Sequence, residues 1–453
     1  MKQWNNNKDG SKNNIVLQKQ MKNKMRLIGM KQLIIFALCS ACSLVAFGQK
    51  TYTLDECREM ALRNNVKMRN ATNDIEAAQS ERNEAFTKYF PNVSASGIGY
   101  AANKGLLQLD MGPDMSMSLL KNGIMGGITL TQPVFTGGQI VNGNRLAKVG
   151  LEMSKVQLEQ TENEVRLTVE QYFWQVVTLQ EKLNTLRTVE KQLEELQKDV
   201  ETMVNAGVTT RNDLLQVQLK HNDMVSTRIN LENNLSICRM MLAQYIGLDA
   251  DTIAVECSIP MDTAPAFPQD IYCDHASALP QTTGYRLLKN NVSASRLQQK
   301  MAVGKNLPSV ALGGGYMYDN LMDKSHPFAI GFVSVSIPIS GWWGGSHAIK
   351  KQNLQIKNAE NQLADNSELL VIAMQKAWTD LQDAYKQILI ARTSIEQSTE
   401  NLRLNKDYYH AGTSTMSDLL DAQTLFQQSR DKYIETYAQF QIKTVEYLQA
   451  TGR

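Results

Sequence analysis

Residues 205–218 read NAGVTTRNDLLQVQ, and residues 410–423 read HAGTSTMSDLLDAQ. Seven of the fourteen paired positions are identical: Ala206/Ala411, Gly207/Gly412, Thr210/Thr415, Asp213/Asp418, Leu214/Leu419, Leu215/Leu420 and Gln218/Gln423. The chain writes one turn twice, 205 positions apart. Glycine takes the left-handed conformation that ends a helix without steric cost. Thr209, Thr210, Thr413, Ser414 and Thr415 can cap the helix that follows. Each copy therefore predicts two helices joined by a tight reversal.

The flanking sequence carries the periodicity such a hairpin needs. Leu179, Leu186, Val189, Leu193, Leu196, Val200 and Met203 fall on one a/d seam that only Lys182 interrupts with a charge. After the turn, Leu214, Val217, His221, Met224, Arg228, Leu231, Leu235, Cys238, Leu242 and Tyr245 continue it in the return direction. A period of 3.5 keeps facing a partner when helices supercoil, so His221 reads as a seam residue near solvent, not a ligand. The second half repeats the plan with smaller residues: Ile388, Ala391, Ile395, Ser398, Leu402, Asn405 and Tyr409, then Leu419, Ala422, Phe426, Ser429 and Tyr433.

Two stretches in each half switch to period two: PNVSASGIGY and GITLTQPVF, then PSVALGGGYMY and FAIGFVSVSIPI. In the last, Val333, Val335, Ile337 and Ile339 face one way and Ser334 and Ser336 the other, the mark of a strand with unlike faces. Pro91, Pro133, Pro308 and Pro338 read as strand ends, where a lost amide donor is cheapest. Ala101 to Gly126 reads as a long loop and Asp319 to His326 as its shorter counterpart. Helices of about 65 residues, about 100 Å long, follow from Gly138 to Val204 and from Gly345 to Tyr409. Flanking helices of about half that length are expected over Thr53 to Tyr89, Asp213 to Ile246, Ala276 to Lys305 and Ser417 to Ala450. The plan is an internal two-fold repeat: residues 49–247, an equatorial linker 248–275, and residues 276–453. Each repeat runs short helix, β-hairpin, long helix, tip turn, short helix.

Lys22, Lys24, Arg26 and Lys31 precede the apolar run LIIFALCSACSLVAF, which ends in Ala46-Phe47-Gly48. That order predicts a secretory signal over residues 1–48, too short for a spanning helix. The segment before Met21 reads as an upstream start. Cys42 after Ser40-Ala41 also admits a lipoprotein reading, although Cys39 stands where an aliphatic residue is usual. The mature chain carries 39 basic against 44 acidic residues, which gives no reason to expect nucleic acid as a partner. Of the mature cysteines Cys57, Cys238, Cys257 and Cys273, none has metal-type spacing. Cys257 and Cys273 either pair or stay structural thiols. No nucleophile, phosphate loop or metal cluster is present; no enzyme activity, cofactor or metal is expected.

Four strands cannot close a membrane barrel, and an open sheet in lipid leaves backbone groups unpaired. The chain must therefore assemble, and three copies give twelve strands with room for a lumen.

At this point the sequence resembles the TolC-like outer membrane efflux proteins over essentially all of Thr51 to Gly452. The marks are Ala61-Leu62 with Asn64-Asn65, Gln132-Pro133-Val134-Phe135-Thr136-Gly137-Gly138, the doubled Ala-Gly-x-x-Thr-x-x-Asp-Leu-Leu turns, and a looser Ile337-Pro338-Ile339-Ser340-Gly341-Trp342-Trp343-Gly344-Gly345. The resemblance implies a mainly α fold with β strands: long helical hairpins forming a periplasmic α-barrel tunnel under a trimeric twelve-stranded transmembrane β-barrel.

It also implies a homotrimer in the bacterial outer membrane lipid, working as a passive export duct with a periplasmic adaptor (membrane fusion) protein and an inner-membrane pump of RND or ABC type. The tips Gly207, Val208, Thr209, Gly412, Thr413 and Ser414 match the family's adaptor contacts. Asp418 and Asp421 match its entrance carboxylates, stacked on one helix face so that threefold symmetry makes two acidic rings favouring cations. Asp418 equally suits the first turn of a helix as a counter-charge to the dipole, as does Asp213. Tyr409 and Asp213 match a pair that tethers the closed tip. The family's basic gate partner falls at Ser414, for which Arg211 is a candidate substitute. Trp342 and Trp343 suit the periplasmic interface belt or packing at the barrel–tunnel junction. The rival reading is a secreted or periplasmic coiled-coil adaptor or interaction protein without a pore.

Overall fold

The computed structural model describes residues 51–104, 107–110, 116–119, 122–248, 253–320 and 325–453. The signal segment, the Cys42 reading and the upstream start lie outside the described residues. In chain order the elements are β1 (Thr51–Tyr52), α1 (Leu54–Asn64), α2 (Val66–Thr87), β2 (Asn92–Ala101), β3 (Leu107–Asp110), β4 (Ser116–Leu119), β5 (Asn122–Thr136), α3 (Gln139–Asn205), α4 (Arg211–Tyr245), β6 (Ala254–Val255), α5 (His275–Ala278), α6 (Thr283–Gly304), β7 (Ser309–Asp319), β8 (His326–Ser336), α7 (Gly341–His410) and α8 (Met416–Ala450). The long helices hold 67 and 70 residues and the return helices 35 each. No helix among the described residues is long and apolar enough to cross a membrane.

Several boundaries differ from the sequence expectation, each for a local reason. The helix expected over Thr53 to Tyr89 breaks at Asn65, whose backbone is extended and whose side chain caps α2 by accepting from the Lys67 N–H at 2.8 Å. The side-chain amides of Asn65 and Asn64 donate to the carbonyls of Tyr245 and Ile246 at 2.9 and 3.2 Å, so the pair closes the C-terminus of α4, where carbonyls lack helical partners. Helix α6 starts at Thr283, because a 3-10 turn through Pro280 and the Thr282 cap precede it. Helix α7 starts four residues early and takes in Trp342 and Trp343. Pro133 lies inside β5, where the register shifts between Pro133 and Phe135; a bulge tolerates the missing donor. Strand β8 ends at Ser336, leaving Ile337 and Ile339 beyond it. Part of the expected long loop is strand: β2 and β5 extend to Ala101 and Asn122, and β3 pairs with β4. The four cysteines among the described residues are free thiols, so Cys257 and Cys273 do not pair.

The main sheet runs β2-β5-β7-β8, antiparallel throughout, with β2 and β8 at its edges. Its register sorts side chains by face, since neighbours across strands share a side and successive residues alternate. Val93, Ile128, Leu130, Tyr316, Leu312, Val333 and Val335 share one face, all exposed in the single chain. Asn92, Ser94, Ser96, Thr129 and Thr131 belong to the other, where the Ser94 and Thr129 hydroxyls bond at 2.9 Å.

The helical seam forms as its spacing requires. Leu186, Val189, Leu193 and Val200 of α3 are buried with Val217 and Met224 of α4. Two polar interruptions of the seam meet a carboxylate, Lys182 and Glu435 at 2.5 Å and Arg228 and Glu190 at 3.0 Å, while His221 Nε2 stops 3.7 Å from Glu194 and makes no hydrogen bond. A larger core gathers α1, α3, α4, α7, α8 and the linker around Phe173, Leu242, Ile253, Leu381, Ile388, Tyr433 and Tyr447. The Tyr433 hydroxyl fastens the linker by donating to the Pro260 carbonyl at 2.9 Å. In the same core Glu170 of α3 is buried against the Arg58 guanidinium of α1 and accepts from the Trp174 indole at 3.1 Å. Burial pushes the Glu170 carboxyl above its usual range, partly offset by Arg58.

Asp431 of α8 is the costlier buried charge. One of its oxygens has no hydrogen bond. Burial, reinforced by Glu435 and opposed by Lys182 and Arg430, pushes its carboxyl up to about 6. A carboxyl raised on folding destabilises above its folded pKa and not below the unfolded one. Asp431→Asn, which leaves the Lys182–Glu435 pair in place, is therefore expected to stabilise the protein by about 2 kcal/mol at pH 7.5 and by almost nothing at pH 4. Thermal unfolding of the detergent-solubilised protein at the two pH values checks this; an equal shift at both would refute the charge assignment.

Candidate functional site

Both duplicated turns end their long helices in the same way. Gly207 and Gly412 adopt left-handed backbones, φ +73° and +71°. The Gly207 and Val208 N–H groups donate to Val204 and Met203 carbonyls at 3.0 and 2.9 Å, and those of Gly412 and Thr413 to Tyr409 and Tyr408 at the same distances. This six-to-one, five-to-two pattern satisfies carbonyls that the helix end would strand. No atom lies within 4 Å of a Cβ placed on either glycine. Glycine is needed there for its backbone angle, not for space.

The return helices start differently. Thr210 caps α4 by accepting from the Asp213 N–H at 3.3 Å. Thr415 does the same for Asp418 at 3.2 Å, and the Asp418 carboxylate answers by accepting from the Thr415 N–H at 3.0 Å, the Thr415 hydroxyl at 2.6 Å and the Ser414 hydroxyl at 3.2 Å. The second turn thus holds a complete capping box. These bonds, led by the Thr415 hydroxyl, hold the Asp418 carboxyl below its usual range. Asp418 is fully engaged as a capping residue, whereas Asp421, one turn on, is exposed and has no ion pair or hydrogen bond among those found in the described residues.

The two turns come together at one end of the helices. Tyr409, Met416, Leu419 and Leu420 of the second half share one buried cluster with Val200 and Val217 of the first, and the Gln423 amide donates to Gln192 at 3.0 Å. Tyr409 is buried, with Thr209 and Asp213 as polar neighbours; burial and the Asp213 charge push its phenol up while Thr209 pulls it down. Its hydroxyl makes no hydrogen bond. A direct Tyr409–Asp213 hydrogen bond is not formed, because the Asp213 carboxylate accepts from the Thr209 hydroxyl instead. Arg211 and Val208 are exposed at the outside of the turn and Ser414 is spent on Asp418. Sequence reasoning missed the Gln192–Gln423 link, since it depends on how two hairpins 205 positions apart meet, whereas the burial of Tyr409 follows from its place on the seam. The capping box was legible as Thr415-x-x-Asp418.

At the other end of the helices, the indole N–H of Trp342 donates to the Asn306 carbonyl at 2.8 Å, while Trp343 is 81 % exposed. The two tryptophans therefore do different things: one ties α7 to the segment before β7, the other stands free. Among the described residues no three His, Cys, Asp or Glu side chains gather into a metal site.

Replacing Gly412 by Val forces a β-branched residue into the left-handed region and is expected to destabilise the tip by about 1–2 kcal/mol, Asn by less. Thr415→Ala is expected to cost about 1 kcal/mol. Hydrogen exchange at residues 411–418 reads both. The Asp418 contribution runs opposite to that of Asp431: a depressed carboxyl stabilises above its unfolded value and is lost as pH falls through the folded one. Protection of the tip amides should therefore drop on acidification, and Asp418→Asn should abolish that pH dependence.

The profile of the outer membrane efflux protein family matches residues 57–248 and 288–453. The outer membrane efflux protein BepC of Brucella suis biovar 1 is 24% identical over 343 residues, 72% of each chain. Among solved structures, CusC superposes with a TM-score of 0.76 at 14% identity over 88% of this chain and 92% of its own. The Campylobacter jejuni CmeC outer membrane channel gives 0.76 at 16% identity over 88% and 85%. The matched segments take in both tip turns and every long helix, and the chain belongs to the outer membrane efflux protein family, a protein of the outer membrane and not an enzyme.

Proposed function

We propose that three copies of this chain form a passive export duct: a twelve-stranded barrel through the outer membrane, continued by long helices as a tunnel into the periplasm. The observation that carries this reading is the four-stranded sheet with two unpaired edges and one exposed aliphatic face. Lipid satisfies the face, and only neighbouring strands satisfy the edges. Strand β8 of one copy beside β2 of the next closes the ring. The helices support the same assembly, because Leu219, Ile229 and Ile237 of α4 and Leu369, Ile372 and Ile390 of α7 stay exposed in a single chain. A pore-free adaptor has no use for an aliphatic sheet face.

The matching element order of the two halves supports reading residues 49–247 and 276–453 as repeats on either side of a linker at 248–275. In this reading the tips Gly207, Val208, Thr209, Gly412, Thr413 and Ser414 receive the adaptor, and an inner-membrane pump of RND or ABC type supplies the energy. Asp213 stabilises the closed tip through Thr209 while Tyr409 packs buried beneath it, and Arg211 is placed to reach a neighbouring copy. Asp421, exposed and unpaired, forms the selecting carboxylate ring; Asp418 adds charge while capping its own helix. Trp343 sits at the periplasmic membrane interface, and Trp342 anchors the junction.

Purified protein in a planar lipid bilayer should give stepwise, cation-preferring conductance, and native mass measurement should give a trimer. Asp421→Asn should reduce the cation preference and block by multivalent cations more than Asp418→Asn does. Conductance without steps, or a monomeric protein soluble without detergent, would overturn the reading; unchanged selectivity in both variants would remove the carboxylates from it.

A further inference from the structure

The sheet face opposite the aliphatic one carries Ser94, Ser96, Thr129 and Thr131 along much of β2 and β5, with Ile98 and Met125 apolar beside Asp319, whereas β8 is apolar along most of its length. His326, Phe328, Ile330 and Phe332 alternate along β8 and share that face with Ser94, Ser96 and Thr129. On β7 the residues opposite are Asp319, Met317, Gly315 and Gly313, in that order. The Phe332 ring fills the place a Cβ on Gly313 would take, so it lies flat against the β7 backbone. Met317 covers Gly127 of β5 in the same way. Phe332 and Ile330 nevertheless remain 37 % and 46 % exposed. The His326 ring leans on Phe328 with centroids 5.7 Å apart, and its Nδ1 lies 3.7 Å from the Asp319 carboxylate. The result is an apolar stripe about 20 Å long on a partly polar face, ending at a carboxylate.

The geometry points to this stripe as a binding track for amphipathic organic cations with an aromatic or aliphatic body. The inference rests on the pore proposed above, in which this face lines the lumen. Lipid is not the occupant, because Ser, Thr and Asn share the face and the opposite face is the aliphatic one. A second copy is not the occupant either, because it joins β8 through backbone bonds in the plane of the sheet and leaves the face open. A passing molecule is then what can cover Phe328, Ile330 and Phe332. Removing their surface from water favours an apolar body, the ring faces attract a positive charge, and Asp319 sets that charge at one end. The glycine under Phe332 holds the ring against the wall, so the track is preformed and does not narrow the bore.

Single-channel recording with tetraphenylphosphonium in one chamber tests the inference, with choline as the non-aromatic cation. The unmodified channel should show resolved tetraphenylphosphonium blocks and none with choline. Phe328→Ser with Phe332→Ser should shorten the block, read against the variant's own open level, by about tenfold. Ile330→Thr, which keeps the packing of Phe332 on Gly313, should shorten it by about threefold and serves if the double variant does not assemble. Steps without tetraphenylphosphonium block, or equal block in Ile330→Thr and the unmodified channel, overturn the track but not the pore. A neutral apolar blocker acting as strongly as the cation would overturn the assigned charge. Absence of steps in the unmodified protein overturns the pore, and the track with it.

Discussion

Backbone groups at a sheet edge must find partners, and everything about this chain follows from having four strands with two such edges. In water an edge can be hydrated; beside lipid it cannot. In the proposed duct the aliphatic face built by Val93, Ile128, Leu130, Val333 and Val335 puts the edges beside lipid, so the sheet needs other copies to extend it. The helices are under the same necessity in weaker form. Their inner seam is buried within the chain, while a second line of aliphatic side chains on α4 and α7 is left uncovered.

Polar groups inside the helical wall are held in different ways. Glu170 is compensated by Arg58 and Trp174, at the cost of desolvating two charges. Asp431 feels the charge of Lys182, which is paired with Glu435, and keeps one oxygen without a partner. Tyr409 keeps an unpaired hydroxyl under the tip. An unsatisfied buried group is a standing cost, and these two lie on the helices that lead to the paired turns. The turns themselves are closed by matched backbone bonds and capped by Thr210 and Thr415.

The architecture was legible in the sequence where its cause is local. Heptad spacing placed the seam, glycine placed the reversals, and alternation placed the strands. Boundaries set by long-range partners were not legible. The break at Asn65 exists because its amide reaches Tyr245, and nothing near residue 65 announces that partner. Pro133 read as a strand end because a missing donor usually ends pairing, whereas a bulge accommodates it within β5. At the tip, the bonds made by the polar residues were not legible. Asp213 bonds Thr209 rather than Tyr409, and Asp418 is committed to Thr415 and Ser414. Short polar side chains beside a turn have several partners in reach, and spacing alone does not choose among them. The stripe on β8 was hidden because its period-two pattern matches that of an ordinary strand; only the register with β7 sets Phe332 over Gly313.

The asparagine pair at 64 and 65 has a kinetic meaning. Its amides close the end of α4, 180 residues downstream. In a polypeptide emerging amino-terminus first, these two bonds wait until roughly the midpoint of the chain has been delivered. The α3–α4 hairpin, whose contacts around the turn are close in sequence, can zip first and wait for them.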